Sequence, residues 1–511
     1  MRRMVLMSGV TATALGLALA AASATGPAET GGPLCRRAAA LAQLSPETLH
    51  VLQDPQRSDP IPVPVETEEV SDVAMEPMAP PPAPPPPPPP PPVAERGGSD
   101  EIEVTGSRVA RPGLEAPSPV AVAPSEMRKA PAGESRYIPP AANLPPAGLL
   151  TAGDHDDLLN PTLYARYVYR AARNLGQQIT GLPNVDTRRT VTINVEDASG
   201  HPAPFVPVTI TCADGNSLTL STLSDGSAVF FPGLDRLGQR VRVSAAGAKR
   251  TIDIDEASGG QSQTLVTRSA AAPVRKFDLM IALDSTGSMG DEIQFLKSEL
   301  KAIVGDISAA YPQLDIRIGL VSYRDIGDDY VTRTNHLTGD LNVIQASLNK
   351  TRGDGGGDMP EAMDQALIRA AGQDWRPDAV KSMLLVADAP PHDELQGRAF
   401  AAAEAARARR IQIVPVAASG VDARAEYFMR AVAASTQSRY IFLTDDSGIG
   451  NPHAEPDVDC YVVTQLATAI RRVLASQISG QRVEPFPGEV VRTAGHYDHG
   501  KCVLPTNFAI Q

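Results

Sequence analysis

The second half of the chain alternates short apolar runs with stretches in which apolar residues recur at helical spacing. The apolar runs are too short for helices and continuous rather than alternating, which is typical of strands covered on both faces of a sheet. These runs are residues 277–283, 316–323, 383–387, 411–417 and 440–443. Helices are predicted between them, and an amphipathic helix over residues 462–478 closes the series. The alternation predicts an α/β domain over residues 275–480 with a doubly wound, mostly parallel sheet, followed by a C-terminal tail over residues 481–511.

A different pattern precedes this domain. Short β-type segments separated by Gly, Asp and Asn turns predict a small β-sandwich over residues 186–268. Its predicted strands are residues 190–195, 206–212, 218–220, 228–231, 241–243 and 251–254. Residues 151–185 are predicted to be a short helical segment, in which the acid-rich turn 152–160 is interpreted as a capped helix start and not as a calcium loop.

The N-terminal part of the chain has no pattern of a folded domain. Residues 1–24 have the basic start, apolar stretch and small-residue end of a signal peptide, with an uncleaved anchor as the alternative. Export by the Sec and the twin-arginine route both stay open. Residues 25–150 are predicted to be disordered and contain a run of prolines, Pro84–Pro92, that favours a polyproline II rod. No membrane span is expected once the signal is removed.

Charge and cysteine content narrow the functional classes. The chain has 59 acidic and 46 basic residues and a net charge of −13, which argues against nucleic acid as its partner. Its four cysteines, in an exported protein, suggest disulfides. Three pairings are possible. Cys460 with Cys502 is preferred because both lie in the C-terminal unit, and Cys212 is interpreted as a core residue.

The candidate chemistry lies where predicted strands end. Asp284, Thr286 and Ser288 follow the 277–283 strand on a glycine-containing turn, and Asp388 follows the 383–387 strand. In a doubly wound sheet these carboxyl ends share one edge. Carboxylates and hydroxyls are hard oxygen ligands, which suit Mg²⁺. Arg324, with Asp325, Asp328 and Asp329, is expected to add an acidic rim to the same edge, whereas His392 is interpreted as a loop cap.

The Asp284-x-Thr286-x-Ser288 turn resembles the start of the metal-ion-dependent adhesion site (MIDAS) of von Willebrand factor type A (VWA) domains, which begins Asp-x-Ser-x-Ser. The resemblance implies an aspartate after a later strand, matched by Asp388, and a threonine from a second loop, whose place Asp358 takes. It thus implies a metal set of Asp284, Thr286, Ser288, Asp358 and Asp388 holding Mg²⁺, or another divalent cation such as Mn²⁺ or Ca²⁺. Asp358 is also explained as the N-cap of a helix over residues 359–372 with Glu361 as its capping-box partner, and the two roles are compatible.

Two further segments resemble known modules. Residues 197–202, 222–226 and 230–232 resemble the carboxypeptidase regulatory-like sandwich, which implies a spacer or docking platform. Residues 100–108 resemble a TonB box, and the alternation of Ile102 and Val104 suits strand addition to a TonB-like partner, with a plain linker as the alternative. The oxygen-rich segment 444–453 is interpreted as an Asx-rich turn and not as a second cation site.

These features predict an exported, non-enzymatic, metal-dependent binding or adhesion module. Its partner is expected to be a protein or cell-envelope ligand in the periplasm, secreted fraction or envelope of a Gram-negative bacterium. An acidic partner residue is one option, and dependence on it is expected to be weak because Asp358 adds a carboxylate to the site. One alternative is a structural envelope protein with a purely structural metal. Another is a chelatase-like accessory subunit that works with a separate ATPase. The sequence contains neither a phosphate-binding loop nor an evident nucleophile set, which argues against an enzyme.

Overall fold

The structure is a computed structural model that describes residues 34–35, 150–179, 181–182, 184–254, 259–357, 359–447 and 455–504. All of these belong to one compact unit of the chain. The predicted signal peptide, the proline run, the TonB-box-like segment and Asp358 lie outside the described residues. Within these ranges, the helices fall short of the length and apolarity needed to cross a bilayer.

The described chain contains strands β1–β18 and helices α1–α7. The strands are β1 Thr151–His155, β2 Val191–Glu196, β3 Pro207–Thr211, β4 Ser217–Ser221, β5 Ser227–Phe230, β6 Arg240–Ala245, β7 Ala248–Asp253, β8 Gln261–Val266, β9 Lys276–Asp284, β10 Asp315–Tyr323, β11 Thr332–Thr338, β12 Val380–Ala387, β13 Ile411–Ala417, β14 Tyr440–Thr444, β15 Tyr461–Gln465, β16 Arg492–Ala494, β17 Tyr497–Asp498 and β18 Lys501–Cys502. The helices are α1 Pro161–Leu175, α2 Gly290–Ala310, α3 Leu341–Lys350, α4 Met363–Ala371, α5 Gln396–Ala408, α6 Ala423–Ser435 and α7 Leu466–Ser479.

The centre of the molecule is a nine-stranded sheet in the order β11-β10-β9-β12-β13-β14-β1-β15-β16. Strands β10, β9, β12, β13 and β14 pair in parallel, and the outer strands are antiparallel. Alternate residues of β9 face two separate cores: Met280 packs with α4, α5 and α6, and Ile281 packs with α2, α3 and α7. Helices therefore cover both faces, and the prediction of a doubly wound, mostly parallel α/β sheet is confirmed.

One strand of this sheet lies where the sequence predicts only a helical segment. Strand β1 pairs with β14 on one side and β15 on the other, and α1 begins only at Pro161, after the acid-rich turn. The interpretation of residues 152–160 as a helix start is therefore confirmed only at its end, where Asn160 is the N-cap residue of α1, and it is wrong for the residues that form β1. Strand β1 contains a buried aspartate and a glycine instead of an apolar run: a Cβ on Gly153 would come within 2.5 Å of the Phe442 ring. Because β1 is polar in composition, a search for apolar runs in the sequence does not predict it.

The sandwich consists of a three-stranded sheet, β5-β2-β8, and a four-stranded sheet, β4-β3-β6-β7, which share one apolar core. The six strands predicted from the sequence are present, and β8 is a further one. Cys212 is buried in this core, but it is also bonded to Cys35 in a disulfide. The interpretation of Cys212 as a core residue is therefore confirmed, and its disulfide with Cys35 is a further role that this interpretation did not include.

The sandwich packs against the N-terminal ends of the parallel strands in the central sheet. Arg407, at the end of α5, is fully buried and makes a paired ion contact with Asp235 of the sandwich. Arg410, directly before β13, stacks over the Phe205 ring, and the Gln437 side chain, just before β14, accepts a hydrogen bond from the backbone of Val229. Because buried paired charges need defined geometry, these contacts fix the sandwich to the sheet.

The C-terminal segment departs from the prediction of one helix and a tail. Residues 461–465 form β15, so α7 begins only at Leu466, and β16 extends the central sheet from within the predicted tail. The hairpin β17–β18 follows. The predicted disulfide between Cys460 and Cys502 is confirmed and ties this hairpin to the start of β15.

Candidate metal centre

The turn after β9 presents the first candidate ligand. Asp284 Oδ1 accepts hydrogen bonds from the Thr286 backbone N–H at 3.0 Å and from the Thr286 hydroxyl at 2.7 Å. Asp284 Oδ2 is buried and has no hydrogen-bond partner among the described residues. Since the Thr286 hydroxyl donates its proton to Oδ1, its lone pairs remain free to face a cation. The turn therefore offers a hydroxyl oxygen and a carboxylate oxygen to a cation, and the buried Tyr323 hydroxyl is the described group that also interacts with this carboxylate.

The neighbouring strand holds this turn in place. The Ser285 backbone N–H and hydroxyl both donate to the Tyr323 carbonyl at the end of β10, at 2.8 and 2.7 Å. The Arg324 guanidinium is buried and donates to the Ser285 carbonyl at 3.1 Å. Tyr330 closes the contact through its hydroxyl, 2.7 Å from the Ser285 hydroxyl. The ligand turn is thus fixed by the sheet before any cation binds.

Asp388 lies opposite this turn, at the end of β12. The Ser288 hydroxyl hydrogen-bonds its carboxylate and lies 3.5 Å from the Thr286 hydroxyl. The structure therefore brings together the four described members of the predicted ligand set. Three of them, Thr286, Ser288 and Asp388, line a cleft of about 520 Å³ together with Gly355, Gly356, Gly357, Met359, Ser419 and Gly420, whereas Asp284 is fully buried.

The second loop differs from the prediction. Helix α4 begins at Met363 with Ala362 as its N-cap residue, so the predicted capping box with Glu361 at its third position is wrong. Glu361 instead donates its backbone N–H to Pro390 and bridges to Pro391, beside the end of β12. Its side chain is buried, and Oε2 has no hydrogen-bond partner among the described residues. Glu361 is thus a site residue that the sequence interpretation missed.

The carboxylates at this edge repel one another. Burial raises the pKa of Asp284, and the Asp388 carboxylate raises it further. Burial also raises the pKa of Asp388, the Ser288 hydroxyl opposes that rise, and Glu292 adds to it. Burial and the surrounding carboxylates, Asp284 foremost, raise the pKa of Glu361 to about 9. A cluster whose ionised forms are so disfavoured is one that a bound divalent cation would stabilise.

Glu292, in the first turn of α2, supports the far wall of the cleft. Its Oε1 accepts hydrogen bonds from the backbone N–H and the hydroxyl of Ser419, at 2.9 and 2.8 Å. Ser419 and Gly420 line the cleft. Glu292, an acidic residue in the first turn of α2, therefore positions this wall of the cleft through Ser419.

The rim residues are close to their predicted places. Asp329 is exposed and lies 3.9 Å from Arg324, and Asp328 accepts a hydrogen bond from the Gly356 backbone at 2.9 Å. The prediction of His392 as a loop cap is wrong for its side chain, because His392 Nε2 lies 2.7 Å from Asp325 Oδ1 and makes no capping hydrogen bond. This contact joins the loop after β12 to the loop after β10 across the site.

Comparison with known proteins identifies the fold that carries this edge. Residues 278–451 match the family model described as von Willebrand factor A domain. This part of the chain is a VWA domain. The chain is also similar over part of its length to two curated proteins. The chain is 32% identical over 124 residues to the "Putative ariadne-like RING finger protein R811" of Acanthamoeba polyphaga mimivirus, covering 24% of this chain and 12% of that protein. It is 27% identical over 117 residues to the "Alpha-protein kinase vwkA" of Dictyostelium discoideum, covering 22% and 19%.

The chain thus spans less than a fifth of the length of either curated relative. Among solved structures, it is similar to the pilus adhesin SpaC from Lactobacillus rhamnosus GG in its open conformation, with 12% identity over 47% of this chain and 31% of that chain and a TM-score of 0.29. It is also similar to an aerotolerance-related membrane protein from Bacteroides fragilis NCTC 9343, with 14% identity over 40% of this chain and 100% of that chain and a TM-score of 0.27.

The donor set of the VWA domain fits a hard divalent cation. Within the described ranges, no three Asp, Glu, His or Cys side chains converge as a metal-binding group. The predicted set does not require such a group, because two of its members are hydroxyls and Asp358 lies outside the described residues. The buried, partnerless Oδ2 of Asp284 is the observation that fits a cation. Asp284, Thr286, Ser288 and Asp388 would hold it, and when bound it would supply an electrophilic position to a ligand oxygen.

The glycine loop provides a test of how tightly this edge is built. Gly356 has a φ of +72°, and a Cβ there would lie 2.9 Å from Glu361 Oε1 and 3.3 Å from the Thr286 Cβ. We expect Gly356→Ala to lower the free energy of unfolding by about 1–2 kcal/mol, the cost of a left-handed conformation for a residue with a Cβ. Gly357→Ala is the matched control, since a Cβ at Gly357 would have no described atom within 4 Å and the φ of this residue is not positive. Equal unfolding midpoints for the two variants would contradict this account.

Proposed function

We propose that this protein is an exported, non-enzymatic binding module that captures a protein or cell-envelope ligand through a divalent cation held at the Asp284 edge. The cation would be Mg²⁺ or a similar hard ion such as Mn²⁺ or Ca²⁺. The ligand would contribute a carboxylate oxygen at the cleft. The sandwich would serve as a platform fixed to the opposite end of the sheet.

One observation carries this proposal. Asp284 Oδ2 is buried without a hydrogen-bond partner among the described residues, yet it belongs to a turn that lines a cleft open to solvent. A buried carboxylate oxygen is costly unless a donor or a cation satisfies it. The open cleft leaves room for a ligand beside the cation. A metal that serves only the protein interior would not need such room.

The charge of the site shapes the expected binding behaviour. If Asp358 joins Asp284 and Asp388, three carboxylates surround a divalent ion and balance or exceed its charge. Such a site would hold its cation without help from the ligand, and an added acidic ligand would gain less from the metal than at a site built from neutral hydroxyls. We therefore expect cation loading to precede capture of the partner.

The cysteines support export. All four cysteines of the sequence are bonded in disulfides, Cys35 with Cys212 and Cys460 with Cys502. Structural disulfides persist in oxidising compartments and are rare in the cytosol. Periplasmic or secreted localisation in a Gram-negative bacterium, contact of the 100–108 segment with a TonB-like protein, and kinship of the sandwich with carboxypeptidase regulatory-like modules remain predictions.

The test is capture from a cell-envelope extract by the full-length protein. Wild type is compared with Asp284→Asn, in the presence of Mg²⁺ and in the presence of EDTA. Asp374→Asn is the matched control, because Asp374 is an exposed acid before β12, at the other end of the sheet. We expect a partner retained by wild type and Asp374→Asn with Mg²⁺, and lost with EDTA or with Asp284→Asn. Capture that is indifferent to both treatments would overturn the proposal.

A structural metal is the second candidate. The burial of Asp284 and Glu361 favours it, since both side chains belong to the protein interior. A structural ion would change thermal unfolding strongly and capture only as a result of unfolding. Measuring both at one temperature, well below the unfolding midpoint of the metal-free protein, separates the two functions. Loss of capture without loss of folding supports the binding module.

A further inference from the structure

The N-terminal side of the chain is fastened to the sandwich. Cys35 is buried and bonded to Cys212, and its backbone N–H donates to the Arg236 carbonyl at 2.8 Å. The backbone N–H of Leu34 donates to the Asp214 carboxylate at 2.8 Å, and the Leu34 side chain packs against the sandwich core. This attachment is therefore built from packing and hydrogen bonds as well as from one covalent bond.

The sandwich, in turn, lies at the end of the central sheet opposite the candidate metal centre. Its contacts are made by residues that precede the parallel strands, such as Arg410 before β13 and Gln437 before β14. Asp284 and Asp388 lie where β9 and β12 end. At about 3.3 Å per residue, a strand the length of β12 separates the two ends by roughly 25 Å.

The chain returns to the folded body at the other end. Thr151 begins β1 and pairs with Thr444, the last residue of β14, and the Leu150 carbonyl accepts the Leu466 backbone N–H. Strand β1 is four positions from β9 in the sheet order, which corresponds to roughly 19 Å at the usual spacing of strands. Residue 150 therefore enters the fold on the same edge as the candidate metal centre.

We propose that the Cys35–Cys212 disulfide makes residues 36–149 a covalently closed loop that leaves the body at the sandwich end and re-enters it at the metal edge. The proline run and the 100–108 segment then belong to a stretch of chain that is joined to the body at both of its ends. An attachment made through residues that precede Cys35 would therefore join the body at the sandwich.

The closed loop affects the distance between an N-terminal attachment and the metal edge. In an open tail, the distance between an N-terminal attachment and the metal edge would grow with the length of the segment between them. In the closed loop, that distance is set by the folded body and is independent of the length of the loop. The inference concerns attachment only, so it stands or falls separately from the metal-dependent binding proposed above.

The covalent closure is tested by cutting the loop. A site-specific protease sequence is inserted between Pro112 and Gly113 of the full chain, and an epitope is inserted after Thr30. After cleavage, we expect the epitope to stay with the body on a denaturing gel without reductant and to separate from it after reduction. The double variant Cys35→Ser/Cys212→Ser should release the epitope without reductant. Cys460→Ser/Cys502→Ser, which removes the other disulfide, should retain it.

The reach is tested by energy transfer between fluorophores placed at residue 30 and residue 329, through non-natural amino acids. Deletion of residues 63–134 leaves enough chain to join the two ends, because each residue spans up to about 3.5 Å. We expect that deletion to leave transfer unchanged in the oxidised protein and to raise it in Cys35→Ser/Cys212→Ser. Release of the epitope from cleaved wild type without reductant, or the same change of transfer on deletion in both backgrounds, would overturn the proposal.

Discussion

Asp154→Asn will lower the free energy of unfolding by about 3–5 kcal/mol, the loss measured when one partner of a buried ion pair is removed. Asp154 lies in β1, almost fully buried, and its two oxygens face the guanidinium groups of Arg472 at 2.6 Å, Arg439 at 3.2 Å and Arg482 at 3.5 Å. Asparagine keeps the shape but removes the charge. Arg472, Arg439 and Arg482 would then repel one another inside the protein, and the ion pairs of Arg482 with Glu484 and Asp156 would offset that repulsion only in part.

The dependence on pH has a defined sign. Burial alone raises the pKa of Asp154, but Arg472, Arg439 and Arg482 together lower it well below its ordinary value of 3.8. A carboxyl whose pKa is depressed by folding contributes stability above its unfolded pKa and loses it as the pH falls below that value. Wild type should therefore lose stability below about pH 4 more steeply than Asp154→Asn does.

Denaturant unfolding between pH 3 and pH 7 measures both effects. Asp374→Asn serves as the control, since it removes an exposed charge and should change stability by less than about 0.5 kcal/mol. If Asp154→Asn unfolded at the same denaturant concentration as this control, β1 would be held by its backbone pairing alone. The ion cluster would then be incidental to the sheet.

The same residue shows where sequence interpretation succeeds and where it fails. The parallel strands were predictable because their apolar runs record burial on both faces. Strand β1 was not, because its stability depends on arginines far away in the chain, separated by 285 residues in the case of Arg439 and 318 in the case of Arg472. Periodicity reports local burial and contains no information about distant ion partners.

The candidate metal site likewise contains residues that the sequence predicts and one residue that it does not. Asp284, Thr286, Ser288 and Asp388 could be brought together in advance, because the ends of parallel strands share one edge. Glu361 was assigned to a helix start that does not exist. A signal against that helix was present in the sequence: the residue before a proline avoids the helical region, so Met359, followed by Pro360, is a poor first helical residue.

The Cys35–Cys212 disulfide could also have been predicted from the sequence. Once Cys460 is paired with Cys502, the four cysteines leave Cys35 and Cys212 as the remaining pair. The interpretation of Cys212 as a core residue was reached from its place in a β-strand pattern, which says nothing of the pairing. The fold supplies what the pattern lacks, since the sandwich holds Leu34 and Cys35 by hydrogen bonds to Asp214 and Arg236.

The largest functional effect is expected at Asp284. If the cation is held there, wild type at a Mg²⁺ concentration about 100 times its dissociation constant should gain about 2.7 kcal/mol of stability, as linkage requires. Asp284→Asn should gain almost none, because the substitution removes the only anionic ligand of the β9 turn and leaves the Thr286 hydroxyl without its acceptor charge. Its Mg²⁺ affinity should fall by about 100-fold or more, corresponding to about 2.7 kcal/mol.

The variant should nevertheless fold. In the cation-free protein the Asp284 carboxylate is disfavoured by burial and by Asp388, so a neutral amide of the same shape relieves that repulsion. We therefore expect cation-free Asp284→Asn to unfold at or above the midpoint of cation-free wild type. Calorimetric titration with Mg²⁺ and Mn²⁺, together with thermal unfolding with and without each ion, gives both quantities. Asp374→Asn should behave as wild type throughout. A cation-induced rise in the thermal unfolding midpoint that persists in Asp284→Asn would show that the cation binds elsewhere in the protein, because the β9 turn has no second carboxylate to replace Asp284.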